Sequence, residues 1–172
     1  MKSYKVSFFL LGVAVCVAAG QAFAQTSTFS DPNVDYSFDL PDARWKMVVK
    51  PSATSPNVRY VFGDRTEGLL DVRKLTVAKD AILSDIVRKE EAGEQFREGY
   101  VAAREENFDG RLRGSIFNFE YVANGRNMSG RFYFLRANDS TVYLLKFSGQ
   151  KGTLKSIQGQ TDSIARTFSV SK

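Results

Sequence analysis

Four segments between residues 100 and 147 constrain the fold of this 172-residue chain more than any other feature. Each alternates apolar and polar residues with the period of two that is typical of a half-buried β-strand. Short sequences rich in Asn, Asp and Gly join them, so consecutive strands are expected to pair as antiparallel hairpins. The strands are predicted at 100–108, 112–122, 128–137 and 141–147.

Shorter segments with the same alternation precede this region. Tyr36, Phe38 and Leu40 alternate with polar residues, which predicts a strand over 36–40. Residues 25–33 are polar instead and include an Asp-Pro pair, which indicates a flexible leader. Further strands are predicted at 45–50, 58–62 and 69–76.

Two segments change to the period of a helix. Apolar residues recur on one helical face between Asp80, a candidate N-cap, and Phe96, and Gly99 follows as a stop signal. A second amphipathic helix is predicted over 152–165. The expected fold class is α+β, with a central antiparallel sheet of about six strands flanked by helices.

The first 24 residues have the composition of a secretory signal peptide. Lys2 and Lys5 precede a short apolar run, and Ala22 and Ala24 supply small side chains at the positions that a signal peptidase reads. The run is shorter than the ~20 apolar residues of a membrane span. We therefore expect an exported protein, periplasmic or secreted, that has no transmembrane span after cleavage.

The cysteine content agrees with a domain that has no disulfide. Cys16, the only cysteine, lies in the segment that cleavage after residue 24 would remove. A lipoprotein cleaved before Cys16 is the alternative. The rest of the chain is long enough to bury its own core, so we expect one domain over 34–172 after the leader.

The charge pattern gives no sign of a nucleic-acid surface. Removal of the two lysines of the signal segment lowers the formal net charge from +5 to +3. The remaining basic residues are interspersed with acidic ones rather than gathered in a run, so nucleic acid is not an expected partner.

The order of predicted elements, together with two short motifs, resembles the PsbP-like family. The motifs are Tyr-Ser-Phe-Asp-Leu-Pro at 36–41, followed by Trp45, and Arg-Thr-Phe at 166–168 directly after the last helix. The resemblance covers nearly all of 34–170. The family comprises exported or lumenal domains, among them the extrinsic photosystem II subunit P, its bacterial relatives and DcrB-like periplasmic proteins.

This resemblance implies an α/β/α sandwich that acts in binding or assembly rather than in catalysis. The photosystem subunit has a metal-linked role that uses His and acidic residues. The present chain has no His, so that role is not carried over. We expect no cofactor.

Residue types for catalysis are sparse. Without His there is no Ser-His-Asp triad, and the sequence has no Gly-x-Ser-x-Gly motif. A line of carboxylates at Glu90, Glu94 and Glu98 could bind a hard cation, but such a site needs six to eight oxygen ligands, and a solvated helix face is favoured. We predict that the protein is not an enzyme.

The catalytic alternative is a carboxylate-dependent hydrolase that acts on an extracytoplasmic substrate; a Ser–Lys dyad is compatible with the sequence, but no residue pattern favours it. A hydrolase could use Glu120 together with Glu105 or Glu106, because glycoside hydrolysis needs two carboxylates across a cleft. Adjacent residues of a strand point to opposite faces, so only one of Glu105 and Glu106 can face Glu120. This alternative requires the two carboxylates to share one pocket.

The candidate binding residues are arginines on the strands, together with the single Trp. Arg59 and Arg131 are opposite in phase to neighbouring core aromatics, so they are expected on the other sheet face or at its edge, where a guanidinium group can bind a carboxylate or phosphate. Surface ion pairs with Asp or Glu are the alternative for the arginines. A buried plug at the end of the sheet is the alternative for the Trp. The candidates are Arg59, Arg73, Arg131, Arg136 and Trp45, with Arg111 and Arg113 on neighbouring segments.

The expected partner of these residues is another exported or membrane-associated protein, or an anionic small ligand.

Overall fold

The computed structural model describes residues 26–63 and 67–171. The predicted signal peptide, residues 1–24, and Cys16 within it lie outside the described residues.

Eleven strands and three helices form in the described part of the chain. The strands are β1 (Ser27–Ser30), β2 (Tyr36–Leu40), β3 (Trp45–Val49), β4 (Val58–Phe62), β5 (Gly68–Thr76), β6 (Val101–Ala102), β7 (Glu106–Asp109), β8 (Arg113–Ala123), β9 (Arg126–Asn138), β10 (Thr141–Gln150) and β11 (Ser169–Val170). The helices are α1 (Leu83–Ala92), α2 (Lys151–Ser156) and α3 (Gln158–Thr167).

The large sheet contains eight strands, and each pair of neighbours is antiparallel. Its order is β3-β4-β5-β10-β9-β8-β6, and β7 also pairs with β8. The α+β class is confirmed, but the prediction of about six strands is wrong. One reason is that the segment 100–108 forms two short strands, β6 and β7, which pair with different parts of β8.

The predicted hairpins of the second half are confirmed. Strands β8, β9 and β10 pair in sequence order. The turn between β8 and β9 contains Asn124 at φ 52° and Gly125 at φ 69°. Positive φ at both central positions is the requirement of the tight turn whose twist matches a hairpin, and Asn-Gly meets it at low cost.

A second sheet has the order β1-β2-β11. Its first strand corrects the flexible leader predicted over 25–33, because Ser27–Ser30 pair with β2. Phe29 is buried, and its ring centroid lies 4.9 Å from that of Phe38. One aromatic side chain thus gives this polar segment a place in the core.

The two faces of the large sheet are covered differently. The face that we call the α3 face packs against the small sheet and against α2 and α3, and it contains the larger core cluster. The opposite face, the α1 face, packs against α1 where β8, β9 and β10 present aromatic and aliphatic side chains. Trp45 and Phe119, one from each face, are both buried as expected for core residues.

The first helix is shorter than predicted, and the terminal helix predicted over 152–165 is divided in two. Helix α1 begins at Leu83, its N-cap is Ile82 rather than Asp80, and it ends at Ala92. Phe96 therefore leaves the apolar stripe and is 92% exposed. The terminal helix is divided at Ile157 into α2 and α3.

Candidate functional site

The α1 face has an open half. Helix α1 covers strands β8 to β10 and the end of β5, where Leu75 packs against its core cluster, whereas no helix of the described residues packs on the α1 side of β3 and β4. Two adjoining hollows of about 140 and 360 Å³ lie there and share Asp71 and Arg73. We call this surface, with Lys46, Arg59, Asp71 and Arg73, the arginine face.

Strand alternation places these charged side chains. In β4, Tyr60 belongs to the core of the α3 face, so Arg59 points to the other side. In β5, Val72 belongs to the same core, so Asp71 and Arg73 point away from it. For Arg59, the predicted orientation opposite to the core aromatics is correct, and the strand alternation that turns Arg73 away from Leu70 and Val72 is correct as well.

Arg59 and Asp71 form a bidentate ion pair across β4 and β5. Arg59 Nε donates to Asp71 Oδ1 at 3.0 Å, and Nη2 donates to Oδ2 at 2.8 Å. The two residues are direct register partners. The Asp71 carboxylate, above all through these hydrogen bonds, raises the pKa of Arg59. Asp71, the one carboxylate among the four residues that define the arginine face, is therefore engaged by Arg59.

The other two cations have no such partner. Lys46 and Arg73 are exposed, and neither side chain makes a hydrogen bond or ion pair within residues 26–63 and 67–171. Lys46 is the register partner of Val61 in β4, which places it on the same side of the sheet as Arg59. Two cationic groups on this surface are thus available to a ligand.

A second cluster of charges separates the arginine face from α1. The Lys146 ammonium lies 3.0 Å from Glu90 and 3.6 Å from Glu94, and 4.6 Å from the centroid of the Phe132 ring. Arg97 pairs with Glu94 as well. Lys146 also stands opposite Asp71 in the register, so the ion pairs run from the sheet to the helix.

This cluster corrects the solvated helix face predicted for Glu90, Glu94 and Glu98. Glu94 is buried and Glu90 is half-buried, and Glu98 alone is exposed. In the described part of the chain, no three acidic side chains converge as a metal site would require. The missed signal is Lys146, a single cation in the otherwise apolar middle of β10.

Arg131 does not lie on the arginine face. It has the phase of Tyr133 and Leu135 in β9 and therefore points to the α3 face, where it is 8% exposed. Its guanidinium donates to the Tyr133 hydroxyl at 2.7 Å, to Asn118 Oδ1 at 2.8 Å and to Asp162 Oδ1 at 2.8 Å. Arg131 is opposite in phase to Phe132 and Phe134 as predicted, but α3 covers the face on which it lies, so Arg131 is buried and fastens α3 to the sheet.

Arg136 and Trp45 are fixed by the fold as well. Arg136 Nη2 donates to the carbonyl of Ala81 at 2.7 Å and so holds the segment that leads into α1. Trp45 is 5% exposed, and its indole N–H donates to Gln160 Oε1 at 3.0 Å. The Trp45 ring packs against Phe62, so it forms the plug at the sheet end rather than a surface for stacking a ligand.

The two remaining arginines lie near the β7–β8 turn. Arg111 Nη1 donates to the Thr167 carbonyl at 3.3 Å, and Arg113 lies 3.6 Å from Asp109. Both are exposed, and both are away from the arginine face.

A cleft of about 330 Å³ lies between β8, β9 and α2. Glu120 lines it and pairs with Lys151 at 2.7 Å. Neither Glu105 nor Glu106 lines this cleft, and Glu106 accepts a hydrogen bond from Asn118 at 3.3 Å. These residues do not form the two-carboxylate pocket that the hydrolase alternative requires.

Solved structures share this architecture. The solution structure of cyanobacterial PsbP from Synechocystis sp. PCC 6803 aligns with a TM-score of 0.61 and 15% identity, over 91% of this chain and 98% of that chain. This chain has a PsbP-like fold.

Two further proteins with this fold differ from PsbP in their described roles. The Ran-binding protein Mog1p of Saccharomyces cerevisiae aligns with a TM-score of 0.60 and 11% identity, over 86% of this chain and 96% of that chain. LpqN of Mycobacterium tuberculosis, which is involved in cell envelope biogenesis, aligns with a TM-score of 0.56 and 12% identity, over 86% and 91%. Identities this low show the fold alone.

No protein-family model and no curated protein sequence matches the chain. None of the helices formed by residues 26–63 and 67–171 has the length and hydropathy of a membrane span.

Proposed function

We propose that this protein is a non-catalytic binding or assembly module of the exported PsbP-like type, and that its arginine face receives anionic groups of a partner protein. Cleavage of the signal peptide 1–24 delivers it to the periplasm or the exterior, and the rest of the chain acts as a single domain that consists of the predicted domain 34–172 together with β1. The observation that carries this proposal is the exposure of Lys46 and Arg73, without partners in the described chain, on the uncovered half of the sheet.

Charge and geometry both favour an anionic partner. Asp71 is held by Arg59 in a bidentate pair, so the arginine face keeps two uncompensated positive charges. A guanidinium group binds a carboxylate through two parallel hydrogen bonds, and Arg73 is free to do so. Exposed cations on a sheet face are screened by salt, so we expect moderate affinity that falls as ionic strength rises.

The solved structures support a binding role. Mog1p is described as a Ran-binding protein, and LpqN is described as involved in cell envelope biogenesis. An extracytoplasmic location agrees with the signal pattern of residues 1–24 and with the cell envelope role given for LpqN.

A non-catalytic role is supported by the residues that are present. The chain has no His to provide an acid–base group near neutral pH, and Glu120 is paired with Lys151. A reproducible turnover of a glycan, peptide or ester that disappears in Glu120→Gln, while the fold survives, would overturn this role.

The direct test uses an acidic probe. A fluorescein-labelled hexaglutamate peptide is titrated with the mature protein at about 0.05 M and about 0.5 M salt, and binding is followed by anisotropy. The double variant Lys46→Gln/Arg73→Gln should weaken binding about five- to tenfold, as the loss of two exposed charge pairs predicts. Higher salt should reduce the affinity of the unaltered protein.

The matched control is Lys151→Gln/Lys155→Gln, which removes the same charge from α2 on the other face. We expect it to retain the affinity of the unaltered protein. An equal loss in both double variants would mean that the probe responds to net charge alone and would overturn the assignment to the arginine face.

A further inference from the structure

Strand β3 is exposed to an unusual extent for a member of an eight-stranded sheet. After the buried Trp45, its next four residues are exposed, although alternate residues of a strand point to opposite faces. Three of them are apolar: Met47, Val48 and Val49 are 40%, 42% and 40% exposed. Three consecutive apolar side chains are thus accessible along one strand.

These three residues lie on a sheet edge. In the described chain, β3 pairs with β4 and has no strand on its other side. The outward N–H and C=O groups of such an edge can accept another strand, and several peptide-binding domains use this mode. A β-bulge between Met47 and Val49 interrupts the pairing with β4, so an added strand is expected to pair over only a few residues.

A second copy of this chain does not suit the edge. Lys46 and Lys50 flank the apolar residues, and no acidic residue occurs between Trp45 and Pro51. Neighbouring strands lie about 4.8 Å apart, so antiparallel pairing of two β3 strands along their full length would place Lys46 of each copy opposite Lys50 of the other. Lysine on edge strands is a common protection against self-association.

The N-terminal segment of this chain does not suit the edge either. Residues 1–25 carry two lysines and no acidic residue, so they add positive charge to a strand that is already positive. The charge pattern of the edge therefore selects an acidic segment from a different protein.

Resting on the proposed function, we propose that the partner binds as an extended acidic segment that adds to the free edge of β3. Its backbone pairs with Lys46–Val49, and every second side chain points toward the arginine face. Carboxylates at those positions can form ion pairs with Lys46. An added strand lies two strand spacings, about 10 Å, from β4. A Glu side chain on the added strand and the long Arg59 side chain of β4 can therefore reach each other over Val49 of β3.

The other side of the added strand has a different neighbour. Met47 is the register partner of Tyr60 and lies on the α3 side, where it is partly exposed. An apolar side chain of the partner can cover Met47 there. The segment is therefore expected to alternate acidic and apolar residues over five to seven positions, a pattern of period two that follows from the strand itself.

The test compares four labelled peptides with the mature protein. The first is acetyl-Glu-Val-Glu-Val-Glu-Val-Glu-amide, and the second has the same composition in a blocked order, Glu-Glu-Glu-Glu-Val-Val-Val. The third and fourth repeat the alternating sequence with N-methyl groups on the odd or the even residues, which removes the N–H donors of one edge of the peptide. Anisotropy gives affinity, and amide hydrogen exchange read by NMR gives the position.

We expect the alternating peptide to slow exchange at amides of Lys46–Val49 and to bind at least about fivefold more tightly than the blocked peptide. One of the two methylated peptides should lose about tenfold in affinity and the other should not, because a strand presents one edge to β3. Met47 is exposed, so we expect Met47→Ser to leave the fold intact. This variant should weaken binding of the alternating peptide and leave binding of hexaglutamate unchanged.

The failures of the two proposals are distinguishable. Equal binding of all four peptides without protection of β3, together with continued dependence on Arg73, would overturn strand addition and leave the proposed function standing. Absence of binding by any acidic peptide would overturn both. Concentration-dependent protection of β3 in the protein alone would identify a second copy as the occupant and would overturn the acidic segment.

Discussion

Arginine side chains have opposite roles on the two faces of the large sheet. On the α3 face, Arg131 is buried between the sheet and α3 and donates to three different side chains. On the α1 face, Arg73 projects from the open half and contacts no side-chain partner in the described chain. The role of a strand arginine is therefore set by the layer that covers its face, and the residue type alone does not decide it.

Desolvation explains the contrast. A guanidinium removed from water loses its hydration and is tolerated only if its donors find acceptors within the protein. Arg131 meets this condition, and among the described residues no buried side-chain polar atom lacks a hydrogen-bond partner. Arg73 keeps its water and can exchange it for a ligand. Burial therefore gives Arg131 a structural role, whereas exposure leaves Arg73 available to bind a ligand.

The largest effects are expected in the two cores. Trp45→Ala on the α3 face and Phe119→Ala on the α1 face should each lower the free energy of unfolding by roughly 3–5 kcal/mol, because each leaves a large cavity among buried side chains. Urea denaturation followed by circular dichroism measures the change. Val48→Ala is the control and should remain within about 0.5 kcal/mol of the unaltered protein. If Phe119→Ala had the same free energy of unfolding as the unaltered protein, α1 would not bury the side chains of the α1 face.

The next effect separates the two arginines directly. Arg131→Gln should lower the free energy of unfolding by about 3 kcal/mol, because it leaves Asp162 and the Tyr133 hydroxyl without their cation in a mostly buried place. Arg73→Gln, the matched change on the open face, should stay within about 0.5 kcal/mol. Equal stabilities of the two variants in urea denaturation would abolish the proposed contrast between the faces.

A smaller effect is expected for the ion pair of the arginine face. Arg59→Gln should lower the free energy of unfolding by at most about 1 kcal/mol, because the Arg59 side chain is partly exposed and screened by water. The loss should shrink further in about 0.5 M salt. Thermal denaturation at both salt concentrations measures it, with Arg131→Gln as the comparison. A loss as large as that of Arg131→Gln would show that the open half is covered in solution.

The smallest effect concerns alkaline pH. Burial raises the pKa of Tyr60, a core residue of the α3 face, to about 12. The unfolded state ionises first, near pH 10, so the stability supplied by the neutral phenol is present below pH 10 and is lost as the pH rises toward 12. At about pH 10.5 the loss for one tyrosine should be below about 1 kcal/mol.

Tyr60→Phe removes this group and should flatten the decline of stability between about pH 9.5 and pH 10.5 relative to the unaltered protein. Urea denaturation at several pH values gives the slope. An unchanged slope in Tyr60→Phe would assign the alkaline sensitivity to the other buried tyrosines.

The sequence by itself determined the elements whose signals are local. The hairpins from β8 to β10 follow from alternation and from turns such as Asn124-Gly125, because backbone sterics and side-chain period act within a few residues. The order of elements and the motif at 36–41 also indicated the PsbP-like fold. Alternation correctly placed Arg59 and Arg73 on the side opposite to the core.

Only the tertiary structure decided which layers cover those strands. The pairing of β1 with β2, the burial of Arg131 beneath α3 and the anchoring of α1 by Lys146 all join residues far apart in the chain. A strand pattern distinguishes one side from the other, but it carries no information on what packs against each side. Whether a charge on a strand becomes a buried fastening or an exposed binding group depends on that non-local packing, because the packing sets the desolvation of the charge.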